Sequence, residues 1–172
     1  MGTRVLARTA LLIALTTVAT MIIRIPNPAT QGYINLGDTM IFAIALVFGG
    51  RAGGLAGGLG SALADGLSGY FIWAPWTLII KGIEGFLIGV LAQKAQETYQ
   101  GKRRRLIEIG ILILGGAWMI LGYYIAGTLL LGATAALTEI PGNIFQAAAG
   151  LIIAMPIASV LRRMLKQEQS WT

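Results

Sequence analysis

Six stretches of this sequence are apolar over roughly the thickness of a lipid bilayer, and short charged segments separate them. They are residues 5–23, 37–50, 52–70, 76–95, 106–130 and 141–162. A helix rising 1.5 Å per residue needs about 20 residues to cross about 30 Å of hydrocarbon, where every backbone polar group must be satisfied internally. The spacing therefore predicts an all-α integral membrane protein, with residues 1–172 forming a single domain that is a six-transmembrane-helix bundle. The second stretch is short and has to tilt, extend into its flanks or be screened by neighbours. No clear small-x-small cleavage site follows the basic, apolar start MGTRVLARTALLIALTTVATMII, which reads as a retained first span. Composition agrees: 56% of the 172 residues are hydrophobic and 12% charged, more apolar surface than a soluble domain of this size can bury.

Charge then orients the bundle. Six spans bring both termini to one side, which also receives Arg4, Arg8, Arg51, Lys94, the run Lys102 to Arg105, Arg162, Arg163 and Lys166; the other side receives only Arg24. The positive-inside rule places both termini in the cytoplasm. The net charge of +6 thereby becomes a topology device, and the 102–105 run reads as an anchor beside anionic lipid rather than a nucleic-acid patch.

Several chemistries are absent. Without cysteine or histidine there is no disulfide framework, thiol nucleophile or Cys/His zinc site. No GxxxxGK[ST] loop is present, so the chain does not hydrolyse ATP, and with no nucleophile elbow it does not read as an enzyme.

Once the direction is set, each polar residue acquires a depth. In WAPWTLIIKGIEG, residues 73–85, Lys81 and Glu84 fall about 8 and 12 Å below the outer surface, three apart on one helical face. Asp65 rises to the same half on the third span, Tyr123 and Tyr124 on the fifth, while Asn35 and Asp38 open the second and Asn143 and Gln146 open the sixth. Ionisable groups in a bilayer cost several kcal/mol unless paired or wet, so this convergence marks a site. The inner half is nearly all Leu, Ile, Val, Ala and Gly. The pattern describes a cup open outward and closed below, with Trp73, Trp76, Phe71, Tyr70 and Tyr33 near its rim.

Each element of the cup also has a plainer explanation. The aromatics could be an interfacial belt. Lys81 could be held by Glu84 at i, i+3 or by Asp65 as a structural ion pair. Asn143 and Gln146, following Pro141, could cap or join helices. In RAGGLAGGLGSALADGLSG the overlapping Gly53/Gly57 and Gly54/Gly58 spacings predict close helix packing and nothing chemical, and Ala10 and Ala14 make a similar small-residue spacing on the first span.

The stretch NLGDTMIFAIALVFGGRAGGLAGGLGSALADGLSGYFIWAPWTLIIKGIEG, residues 35–85, together with PGNIFQ at 141–146, resembles the substrate-binding S components of energy-coupling factor (ECF) transporters. The shared features are an N-x-G-D entry, a glycine-rich third span carrying an acid, a W-A-P-x-T-x-x-x-K-G-x-E-G segment and a P-x-N-x-x-Q start to the last helix. The resemblance implies a protein of a prokaryotic plasma membrane that captures a small vitamin-like molecule at its outer face. It would do so with Asn35, Asp38, Asp65, Trp73, Trp76, Lys81, Glu84, Tyr123, Asn143 and Gln146. It implies no cofactor of its own, ATP being used by two cytoplasmic ATPases that work with a membrane scaffold, the T component, docked at Ala10 and Ala14. The first outer loop, about Arg24 to Leu36, would act as a lid. The residues themselves suit a small planar heterocycle carrying hydroxyls or an amine, and the resemblance implies one of riboflavin or B6/pyrimidine type. They leave open a stand-alone transporter using Asp65 and Glu84 as proton carriers.

Overall fold

The computed structural model describes residues 2–168. Its elements run α1 (Thr3–Ile22), β1 (Arg24–Asn27), β2 (Gly32–Asn35), α2 (Gly37–Phe48), α3 (Gly50–Leu67), α4 (Ala74–Thr98), α5 (Gly101–Leu131), a short α6 (Ala133–Leu137) and α7 (Ile140–Glu168). Each of the six apolar stretches becomes one helix. α1, α4, α5 and the segment Ala133–Gln167 are long and apolar enough to cross a membrane. The remaining two, α2 and α3, are short or glycine-rich, and packing explains both.

α2 has only 12 residues, about 18 Å of rise. It is screened by neighbours: α1, α3, α4 and α7 all pack on it, and Ile41 through Leu46 are buried. A helix apolar on every side is stable only in such a surround. The carbonyls of its last turn have no helical partner; that of Leu46 is met by Gln96 Nε2 at 2.9 Å and Arg162 Nη2 at 2.7 Å. Gly49, with φ +83, then turns the chain into α3.

α3 lies against α4 at backbone distance. A Cβ on Gly57 would stand 2.5 Å from the Lys81 carbonyl, and one on Gly53 2.5 Å from that of Gly85. Gly53 and Gly57 therefore fit only as glycine, since a methyl would push two backbones apart. This contact fixes α3 relative to α4 and so sets Asp65 near Lys81 in space. α1 joins the same group through Thr17 Oγ1, which donates to the Gly60 carbonyl at 2.9 Å. Ala10 and Ala14 lie on its exposed side.

Between α1 and α2 the first loop is an antiparallel hairpin, Arg24 pairing with Asn35 and Asn27 with Gly32. Its strands are four residues each, too brief to leave a clear alternation in the sequence. The hairpin lies across the end of the bundle where α2, α4 and α7 begin and α3 and α5 end.

Candidate functional site

Under the hairpin lies a small polar chamber. Thr20, Asn35, Ser61, Asp65, Thr77, Lys81, Asn143 and Gln146 line it together with Tyr33, Trp73, Tyr123, Gly32 and Glu139. These residues come from the hairpin, from α1, α3, α4, α5 and α7, and from the turns before α4 and α7. Seven of the ten residues expected from sequence meet there: Asn35, Asp65, Trp73, Lys81, Tyr123, Asn143 and Gln146. The other three lie off the wall. Asp38 and Glu84 are directly behind it, while half-buried Trp76 packs with Trp73, Ile80, Met119 and Ala126 outside it.

Lys81 is the centre of the inner wall. It is fully buried and bonds Asp38, 43 residues earlier on α2. Glu84 Oε2 lies 3.0 Å from the same Nζ, in ion-pair contact rather than hydrogen-bond alignment. The i, i+3 pairing with Glu84 is thus present, but the stronger partner is Asp38, not Asp65. Gln146 extends the network: its Nε2 donates to Asp38 Oδ2 at 3.0 Å and its Oε1 accepts the Asn35 backbone N–H at 2.8 Å. The Tyr123 ring stands 5.7 Å from Nζ, close enough for a cation–π contribution. Buried charges persist only when held this way from several sides.

Asp65 is held differently. Tyr33 Oη donates to its Oδ1 at 2.6 Å, while Oδ2 is buried and, with the Thr77 side chain beside the carboxylate, makes no well-aligned hydrogen bond among the described residues. Asn143 Nδ2 is likewise buried with no hydrogen-bond partner among them. An acceptor and a donor left unmatched on a chamber wall each cost about 1–3 kcal/mol, which makes them the points where a bound molecule gains most. Burial, and after it the Asp65 carboxylate, pushes the Tyr33 phenol above its ordinary value, so it remains a donor.

The roof is latched on three sides. Trp73 Nε1 donates to the Thr30 carbonyl at 3.2 Å. Thr30 bonds Glu139, whose carboxylate also accepts from Asn27 Nδ2 at 3.3 Å. Tyr33 and Asn35 supply the contacts to α3 and α7 already described. Glu139 was not anticipated: one acid just before PGNIFQ carries no helical spacing, and only the fold brings it beneath Thr30. Thr30 was likewise missed, as were Thr20, Ser61 and Thr77. The sequence places Tyr33 only among the rim aromatics; Phe71 is exposed and Tyr124 lies off the wall.

The chamber is tight. About 30 Å³ is open to water-sized occupants, room for roughly two waters. A ring system enters only if the hairpin lifts or side chains swing aside. The wall is also acidic overall: Asp38, Asp65, Glu84 and Glu139 are buried around the single buried lysine.

Comparison with known proteins agrees with this architecture. The family model described as ECF-type riboflavin transporter, S component, matches residues 1–163. A protein of Pyrococcus woesei described as an uncharacterized protein in a gap 3′ region is 44% identical over 147 residues, covering 86% of this chain and 94% of that protein. The thiamine precursor transporter HmpT of Lactococcus lactis subsp. cremoris (strain MG1363) is 28% identical over 151 residues, covering 87% and 82% respectively. With a family match over nearly all its length and five helices lining one polar chamber under the hairpin, the chain belongs to the S-component family of ECF-type riboflavin transporters.

Proposed function

We propose that this protein is the substrate-capturing subunit of an ECF-type importer, a six-span protein of a prokaryotic plasma membrane with both termini cytoplasmic and the chamber facing out. It takes a small vitamin or heterocyclic precursor, of riboflavin or B6/pyrimidine type, for uptake driven by a T component and two ATPases. The observation that carries this reading is the unmatched pair in the roofed chamber, Asp65 Oδ2 and Asn143 Nδ2. An acceptor and a donor facing one small space suit the edge of a nitrogen heterocycle, with Trp73 and Tyr123 as apolar walls. The acid excess supports a neutral ring with donor groups, or one carrying an amine, and disfavours phosphorylated forms. Among the candidates it therefore leans to the pyrimidine type, in line with the relative named as a thiamine precursor transporter.

The test is mass spectrometry of small molecules retained by the purified protein, followed by titration with riboflavin and hydroxymethylpyrimidine. Tight, saturable binding of one, weakened by Asn143→Ala, is the expected result. No binding of either, with no retained heterocycle, would remove the proposal. Ala14→Leu, on the exposed face of α1, is expected to spare binding and abolish uptake with the partner subunits.

A second reading, a stand-alone proton-coupled carrier, draws on the incompletely bonded carboxylates of Asp65 and Glu84. Uptake into proteoliposomes holding this chain alone would favour it.

A further inference from the structure

Away from the chamber, α5 and α7 run antiparallel and are not closely packed along their whole length. At their basic end a cavity of about 450 Å³ opens between them, bordered by Arg104, Arg105, Arg162, Arg163 and Lys166 with Glu108 as its one acid. Glu108 is already engaged, by Arg162 through two nitrogens at 2.9 and 3.2 Å and by Arg104 at 3.7 Å. Arg105, Arg163 and Lys166 pair with no acid among the described residues. Arg162 Nε is buried and makes no hydrogen bond there.

The same two helices carry a second groove, about 410 Å³ and almost purely apolar. Leu112, Ala117 and Ile120 form one wall and Ala148, Leu151 and Ile152 the other. It starts one helical turn from the first, Leu112 following Glu108 and Ile152 preceding Met155, about 5 Å along each axis. A cationic mouth at the membrane edge therefore leads into an apolar slot at hydrocarbon depth. Water satisfies neither half as well as a molecule with an anionic head and a long chain.

We propose that the α5–α7 groove is a binding site for one anionic phospholipid of the leaflet on the basic side. Its phosphate lies among Arg105, Arg163 and Lys166, and one acyl chain lies along Ala117 and Ala148. Phosphate is matched by guanidinium groups that lack a carboxylate partner. Small residues at 117 and 148 leave the width that a chain needs. The site is independent of the chamber and does not rest on which vitamin is bound.

Native mass spectrometry of the full-length protein in neutral detergent tests it, with dioleoyl phosphatidylglycerol, dioleoyl phosphatidylcholine and glycerol 3-phosphate as probes. One phosphatidylglycerol per protein is expected, held at least about tenfold more tightly than phosphatidylcholine. Arg162 is a poor site for substitution because it also holds Glu108 and α2. The exposed pair Arg163→Gln and Lys166→Gln is expected to reduce the preference about fivefold or more. Ala148→Phe, or Ala117→Leu on the facing wall, should shorten lipid retention with the thermal midpoint of the lipid-free protein unchanged. Equal affinity for the two lipids, or no response to either wall variant, would overturn the proposal. So would displacement of phosphatidylglycerol by equimolar glycerol 3-phosphate, which would make this a free-anion pocket. A dimer abolished by Ala148→Phe would give the groove to a second copy and overturn it too.

Discussion

The molecule holds two clusters of buried charge, one at each end, and they are built to opposite rules. At the basic end Glu108 receives two nitrogens of Arg162, whose Nη2 also reaches the Leu46 carbonyl. That clamp ties α2, α5 and α7 together and leaves its carboxylate fully engaged. At the chamber end Lys81 is shared between Asp38 and Glu84, with four carboxylates around one ammonium and polar atoms of Asp65 and Asn143 unmatched. A cluster that closes on itself is a structural joint. One that leaves a donor and an acceptor facing a small cavity is incomplete without a ligand, and it gives up stability for binding.

Breaking each cluster should give different signatures, and four substitutions separate them. The largest effect is expected from Lys81→Met, which leaves Asp38 and Glu84 buried with no cation. A loss of about 4 kcal/mol, read as a lower unfolding midpoint in detergent, follows from removing one partner of a buried pair. Arg162→Leu is next, at about 3 kcal/mol, because Glu108 keeps only the distant Arg104. Ligand affinity measured below its midpoint should be unchanged, and a large loss of affinity would mean that the two clusters are coupled.

Asp65→Asn should invert that pattern. The folded protein keeps its midpoint within a few degrees, while affinity falls roughly 30-fold, about 2 kcal/mol, by titration calorimetry. Tyr33→Phe is the mildest, removing one roof latch worth about 1 kcal/mol and speeding ligand dissociation roughly fivefold.

Tyr33 also gives a pH signature with a definite sign. Its phenol is raised by burial in the closed hairpin and returns to about 10 once the hairpin lifts or the chain unfolds. The latch is therefore intact below pH about 10 and weakens as pH rises beyond it, as the open form loses its proton and the closed form does not. Dissociation rates should be flat from pH 7 to 9 and rise above 10 in the wild type. In Tyr33→Phe that rise should be much smaller.

Resemblance to S components, read from residues 35–85 and 141–146, is borne out by the family match across residues 1–163. The helices were equally legible, since length and apolarity are one-dimensional properties and α4, α5 and α7 only extend a few residues further at their basic ends. Position along each helix was legible too, because rise per residue turns sequence distance into height. That is why Asp65, Lys81, Tyr123, Asn143 and Gln146 could be assigned to one level before any contact was known. The glycines of α3 announced close packing, though not that α4 would be the helix they meet.

What the sequence determined, then, was the set of helices, their order and the height of each polar group along them. The tertiary structure alone decided rotation and neighbourhood: that Asp38 rather than Asp65 holds Lys81, that Glu139 reaches Thr30 beneath a hairpin, and that Arg162 closes on Glu108. These pairs join residues 43, 109 and 54 positions apart. A helix turned by 100° per residue moves a side chain from core to lipid without changing its height. Which carboxylate meets the lysine therefore depends on how all the helices pack at once, and no local spacing encodes that.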